Sequence, residues 1–153
     1  MHTLPLPAFI RKNLEVITEE WRAFAETLAS PEISDLELRD HIHQILFFIA
    51  DNIEIAETSA QQYAKSRGHD DKGESPAMIH ATLRHKTGFD LVEMVSEYRA
   101  LRATIIRLWT KEKLVLVDSD VLSLIRFNEA IDQLLAQSIA CFMKNYPIKT
   151  ENT

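Results

Sequence analysis

From Gly88 to Trp109 the chain reads GFDLVEMVSEYRALRATIIRLW, and no other stretch restricts its fold so tightly. Leu91, Met94, Tyr98, Leu101, Ile105 and Leu108 recur at alternating spacings of three and four, and Val95 and Trp109 widen the stripe on one side. Apolar side chains at that period line one face of an α-helix, and that face must be buried against neighbouring elements. Asp90 stands just ahead of the stripe, where a carboxylate accepts the free N–H groups of a first turn. Arg102 lies between Val95 and Trp109 on the same shoulder. A guanidinium keeps its proton, so if buried it needs a partner from another helix.

The rest of the chain repeats the helical period. Ile10, Leu14, Ile17, Trp21, Phe24 and Leu28 predict a first helix that opens at Pro5 or Pro7 and closes at Ser30-Pro31. Ser34 and Glu37 form a capping box ahead of Leu38, Ile42, Ile45, Ile49, Ile53, Ala56, Ala60 and Tyr63, with Gly68 as the stop. Such a helix is on the order of 45 Å long. Phe47 and Phe48 make its middle apolar on a second side, which points to burial between helices or at a subunit interface. Residues 66–74 are polar and glycine-punctuated, hence an exposed flexible loop.

Ser75-Pro76 opens a short helix carrying Ile79, His80, Leu83, Arg84 and His85, which stops at Gly88 with Phe89 placed for the apolar contact of a glycine C-cap. After Trp109, the Leu114–Val117 run is too apolar for a solvated loop and is expected to fold back over the core. Asp118 or Ser119 caps the last helix, whose stripe is Val121, Ile125, Asn128, Asp132, Leu135, Ile139 and Phe142. Pro147 ends it, and 147–153 is a frayed tail. With only three glycines and five prolines in 153 residues, the chain reads as one all-α domain over 1–153. The expected architecture is an antiparallel bundle of four long helices plus one short helix, its core about 8–146.

Several function classes are disfavoured. A net charge of −6 with no basic block argues against nucleic acid or an anionic membrane as partner. The longest apolar run, Ile45 to Ala50, is too short to span a bilayer, and MHTLPLPAFIRKN lacks the pattern of a signal peptide. The single cysteine, Cys141, permits no intrachain disulfide, and a cytoplasmic location is expected.

A short connection makes the last two helices antiparallel neighbours. With the turn centred near Val115, Arg99 faces Asp132, Arg102 faces Asn128 and Glu129, and Glu97 lies one turn from both. This layer reads first as a buried structural ion-pair layer, in which removing one partner costs about 3–5 kcal/mol, and second as a pocket for an anionic or hydrogen-bonding ligand. His41 and His43 point in different directions on a helix, and neither an E-x-x-H nor an H-E-x-x-H pattern is present, so no metal is expected. His80 and Arg84 share a face and read as a surface or interface pair. Haem would need His80 or His85 as an axial ligand, and His85-Lys86-Thr87-Gly88 only distantly matches the H-x-x-K-G centre of phosphotransfer bundles. No Ser/His/Asp or Cys/His arrangement can be argued, and Gly68, Gly73 and Gly88 build no phosphate loop. Neither catalysis nor a cofactor is expected.

The segments His80-x-x-x-Arg84-x-x-x-Gly88-Phe89-Asp90-Leu91, Glu97-Tyr98-Arg99-Ala100-Leu101-Arg102-Ala103 with Leu108-Trp109, and Arg126-Phe127-Asn128-Glu129-Ala130-Ile131-Asp132-Gln133 carry a resemblance. Together they resemble the N-terminal helical sensory domain of a class of bacterial sensor histidine kinases, related to the N-terminal domain of RsbT co-antagonist (RsbRD-type) proteins. The resemblance is strongest over 76–142 and weaker over 34–66. It implies a cytoplasmic, dimeric, non-catalytic input domain that passes a signal to an output module in cis or in trans. Its motif residues are Glu97, Tyr98, Arg99, Arg102, Arg126, Asn128, Glu129 and Asp132. In the kinases the last helix would run on toward the phosphoacceptor domain. Pro147 departs from that, so the chain is expected to be either a fragment or a stand-alone member that binds a partner.

Overall fold

A computed structural model describes residues 4–25, 27, 35–54, 75–86, 88–113 and 115–144, with the side chains of 25 and 35–40 left aside. Among these residues there are six helices and no strand: α1 (Leu6–Lys12), α2 (Leu14–Ala25), α3 (Asp35–Glu54), α4 (Pro76–Lys86), α5 (Leu91–Glu112) and α6 (Asp118–Lys144). The Ser30-Pro31 stop, the Ser34–Glu37 capping box, the second helix beyond Glu54, the 66–74 loop and the 147–153 tail all lie outside the described residues.

The first apolar stripe forms two helices, not one. Asn13 leaves helical geometry at φ −117°, ψ 30°. The Phe9 carbonyl accepts both the Asn13 side-chain amide at 2.9 Å and the Asn13 N–H at 3.0 Å. The stripe survives the break: Leu6, Phe9 and Ile10 from α1 and Ile17 and Trp21 from α2 are all buried. They pack with Ile42, Ile45, Leu46, Ile49, Ala50 and Ile53 of α3, Tyr98, Leu101, Ile105 and Trp109 of α5, and Phe127, Ile131 and Leu134 of α6 in one core. Most of the α3 surface expected to seek a partner is thus consumed within the chain. Phe48 packs against that core, and of Ile42, Ile45, Phe47, Phe48 and Ile49 only Phe47 faces out.

Helix α4 is bounded as its sequence dictates. The Ser75 hydroxyl accepts from Met78 N–H at 3.3 Å, and proline follows at the first helical position. At the other end Gly88 adopts φ +89°, the left-handed conformation that glycine takes without a Cβ penalty. Phe89 N–H reaches the Arg84 carbonyl at 3.0 Å and Gly88 N–H the His85 carbonyl at 3.4 Å, the paired bonds of a Schellman stop. Asp90 then caps α5, exchanging bonds with Glu93 in a capping box.

Helices α5 and α6 run antiparallel, but not in the register expected. Tyr98 meets Ser138, Arg102 meets Asp132 and Lys113 meets Asp120, so the pairs centre near Val117 and not Val115. The cause is Asp120. Its carboxylate accepts Val117 N–H at 3.0 Å and the Lys113 ammonium at 2.9 Å, tying the third residue of α6 to the end of α5. Asp120, rather than Asp118 or Ser119, therefore completes the start of α6. Those two bonds, the backbone one foremost, hold its carboxyl below the usual aspartate range.

The buried stripe of α6 runs through Phe127, Ile131, Leu134, Ser138 and Phe142, mostly one residue earlier than expected. One residue turns the helix about 100°, enough to put Phe127 and Ile131 inside and Asp132 outside. Val121 and Ile125 are exposed, and so are Val115, Leu116 and Val117, which do not fold back over the core. No helix among the described residues is long and apolar enough to cross a membrane.

Candidate functional site

Four side chains that interrupt apolar faces meet where α3, α4 and α5 converge beneath α2. His41 sits on the same face of α3 as Ile45 and Ile49; His80 and Arg84 share a face of α4 with Ala77 and Ala81; Glu97 lies between Met94 and Leu101 on α5. All four are buried, Arg84 at 0% and Glu97 at 1% exposure.

Glu97 is the hub. Arg84 approaches it as a fork, Nε on Oε1 at 3.0 Å and Nη2 on Oε2 at 2.5 Å, the bidentate geometry that suits a planar guanidinium. His80 Nε2 meets Oε1 at 2.9 Å, and His80 Nδ1 lies 2.8 Å from His41 Nε2. The Arg84 guanidinium rests 4.1 Å from the centre of the Phe89 ring, replacing with a cation–π contact the apolar one that a Schellman stop usually carries. Trp21 donates its indole N–H to the Glu97 carbonyl at 3.1 Å and so draws α2 onto the same point.

The electrostatics follow from burial. For Glu97, desolvation alone would raise the carboxyl, but His80 and Arg84 together outweigh it and hold the group below its usual range. For His41, burial and then the neighbouring His80 and Arg84 push the imidazole down to about 3, so it stays neutral at physiological pH. With Arg84 and Glu97 both ionised and His41 neutral, the paired charges cancel.

A second polar chain runs alongside. Ser138 donates to the Ala77 carbonyl at 2.9 Å, which spends its only hydrogen, so the Tyr98 hydroxyl 2.7 Å away must donate to Ser138. Burial raises the Tyr98 phenol well above its ordinary value and keeps it a donor. The chain joins α5 to α6 and α6 to α4. The gap bounded by Trp21, Ile42, Ile45, His80, Glu97, Tyr98 and Leu101 is too small to admit a water molecule.

The polar layer expected between α5 and α6 is thus displaced and divided. Glu97 and Tyr98 are inside, but their partners come from α4 and α6, not from Arg99 or Arg102. Arg102 pairs with Asp132 at 2.7 Å, one turn from the expected match, in a pair open to water on the Asp132 side, with Arg102 half-buried at 34% and Asp132 exposed at 66%. Arg99 and Glu129 are exposed and Asn128 is half-buried. Arg126 donates to the Ile53 carbonyl at 3.1 Å in the last turn of α3. His80 and Arg84 are not a surface pair; their partner Glu97 lies thirteen residues beyond Arg84, on the next helix. His85 is half-buried with its ring edge-on to Phe142 at 5.2 Å.

His41 is the member without a role in the sequence reading, which considers it only beside His43 as a metal ligand. The usable signal was its place four and eight residues before Ile45 and Ile49. Both ring nitrogens of His80 are engaged, which leaves none for a haem iron. Among the described residues, no group of three or more His, Cys, Asp or Glu is placed to hold a metal ion. No family model matches the chain, nor does any curated protein or solved structure.

Proposed function

We propose that the chain is a non-catalytic sensory and dimerisation module of bacterial signal transduction, acting on an output module in cis or in trans. The observation that carries this reading is the closure of the His41–His80–Glu97–Arg84 network. Its carboxylate oxygens and the nitrogens of His80 are spent on one another in a space without room for water. A catalytic constellation needs a reacting atom within reach, and this cluster offers no vacancy for one. A network that fixes where several helices meet is instead suited to transmit a change in helix packing. The resemblance over 76–142 supports the same reading, since Glu97 and Tyr98 of its motif lie in the buried polar chains.

The architecture proposed with it is an antiparallel helical bundle that self-associates. Val115, Leu116, Val117, Val121, Leu122 and Ile125 are exposed at the α5–α6 turn, and clustered exposed apolar side chains favour association. Two measurements on the purified chain test the reading. Light scattering at micromolar protein is expected to give a dimer mass, and incubation with labelled ATP is expected to give neither hydrolysis nor autophosphorylation. A concentration-independent monomer would remove the dimer, and turnover of ATP would overturn the non-catalytic role.

A further inference from the structure

Helix α4 packs mainly on α6, with Ala81 against Phe142 and Ala77 in the main core, and it reaches α3 and α5 through buried polar side chains. Its buried residues are Ala77, His80, Ala81 and Arg84, so the only fully buried apolar side chains it contributes are two alanines. Among the described residues, the side-chain hydrogen bond that ties it to α3 runs from His80 to His41. At 2.8 Å the two facing nitrogens, His80 Nδ1 and His41 Nε2, are at hydrogen-bond distance with room for one hydrogen between them. If His80 is neutral, its Nε2–H donates to Glu97 and its Nδ1 accepts from His41. If His80 carries a proton, it donates in both directions and His41 accepts. Both forms satisfy His80 Nδ1, His80 Nε2 and His41 Nε2. A form with hydrogens on both facing nitrogens is not, because two N–H groups and two like charges would then oppose each other.

We infer that the His41–His80 pair is a proton-operated latch: the closed α3–α4 contact holds at most one added proton, the open contact holds two, and acid therefore releases α4 from α3. The ionisable groups facing the pair from the packed elements are Arg84 on α4 and Glu97 on α5, with Tyr98 edge-on to the His80 ring at 5.4 Å. From α2 the neighbour is Trp21, which does not titrate. Arg84 and Glu97 stay paired through the transition, so the opening is confined to the α3 side and α4 remains tethered to α5. Proton linkage sets the sense: a state that binds one more proton gains tenfold in population for each pH unit of acidification below the imidazole range. The latch gives the sensory reading an input, and rests on that reading only for its biological use.

The test is amide hydrogen exchange on the full chain between pH 7.5 and pH 5, corrected for intrinsic rates. Protection across α4 is expected to fall up to about tenfold per pH unit below pH 6.5, while protection in the middle of α5 holds. In His41→Gln, whose side-chain amide can still donate to His80 without titrating, α4 protection is expected to be independent of pH. Wild-type α4 protection that does not change with pH, or the same pH slope in His41→Gln, would overturn the latch. Should that variant fail to fold, the wild-type NMR titration of the His41 ring decides alone. Titration that tracks the α4 opening supports the latch, and titration near pH 6.5 with α4 still protected overturns it. Failure here leaves the dimer and ATP measurements untouched, so the latch and the sensory role fall or stand separately.

Discussion

An ion pair's worth is set by its surroundings, and this chain holds both extremes on one helix. Arg102–Asp132 is a pair open to water on the Asp132 side of the α5–α6 seam, where water screens the attraction. Asp132→Ala is therefore expected to lower stability by less than about 1 kcal/mol in urea denaturation, not the several kcal/mol that a buried layer would imply. Arg84–Glu97, by contrast, is sealed. The sequence named Glu97, Arg84 and His80 as candidates but could not pair them, because the contacts join α4 to α5 across a turn whose geometry spacing alone does not fix. His41 cannot share a metal with His43, but its position on the apolar face of α3 itself argues for burial. Polar residues at stripe positions were the signal, and their partners became visible only once the helices were docked.

Elements with local causes were read well, and those with distant causes less so. The α4 stop, the Asp90 cap of α5 and the α5 stripe depend on residues a turn apart, and each has the geometry that GFDLVEM implies, with the return bond from Glu93 added by the structure. Gly88 is the sharpest case. No atom lies within 4 Å of where a Cβ would stand, so a substitution there meets strain from φ +89° alone. Gly88→Ala should cost about 1–2 kcal/mol, with Gly88→Asn milder, both read from denaturant midpoints at unchanged slope. The register of α6 was missed because it is set by Lys113–Asp120, a contact that spacing does not announce, and the displaced stripe follows from it. The split at Asn13 is invisible for a related reason: apolar periodicity continues through it, and only the backbone conformation of Asn13 marks the break.

At the scale of the whole molecule the network makes stability depend on pH. His41 falls from 6.5 in the unfolded chain to about 3 when buried, so below pH 6.5 the unfolded chain takes up a proton that the folded chain refuses. Its contribution is complete above pH 6.5 and is lost as pH falls toward 3, by up to about 1.4 kcal/mol per unit. Glu97 and Asp120, both held below their ordinary values, stabilise above those values and add their own losses only below about pH 4.5. The melting temperature should thus decline from pH 6.5 downward in the wild type and stay level to about pH 4.5 in His41→Gln. A wild-type melting temperature level between pH 6.5 and 4.5 would contradict that assignment.

The central claim is that the sealed Arg84–Glu97 pair, with its histidines, is a structural clamp on α4 and not a vacant site, and a double-mutant cycle on global stability tests it most directly. Arg84→Met and Glu97→Leu should each cost about 3–5 kcal/mol in guanidinium unfolding, because each strands a buried charge. The double variant, with an apolar pair filling similar volume, should lose much less than the two singles together. Small, additive losses would contradict the account and identify the cluster as a site held open for a ligand.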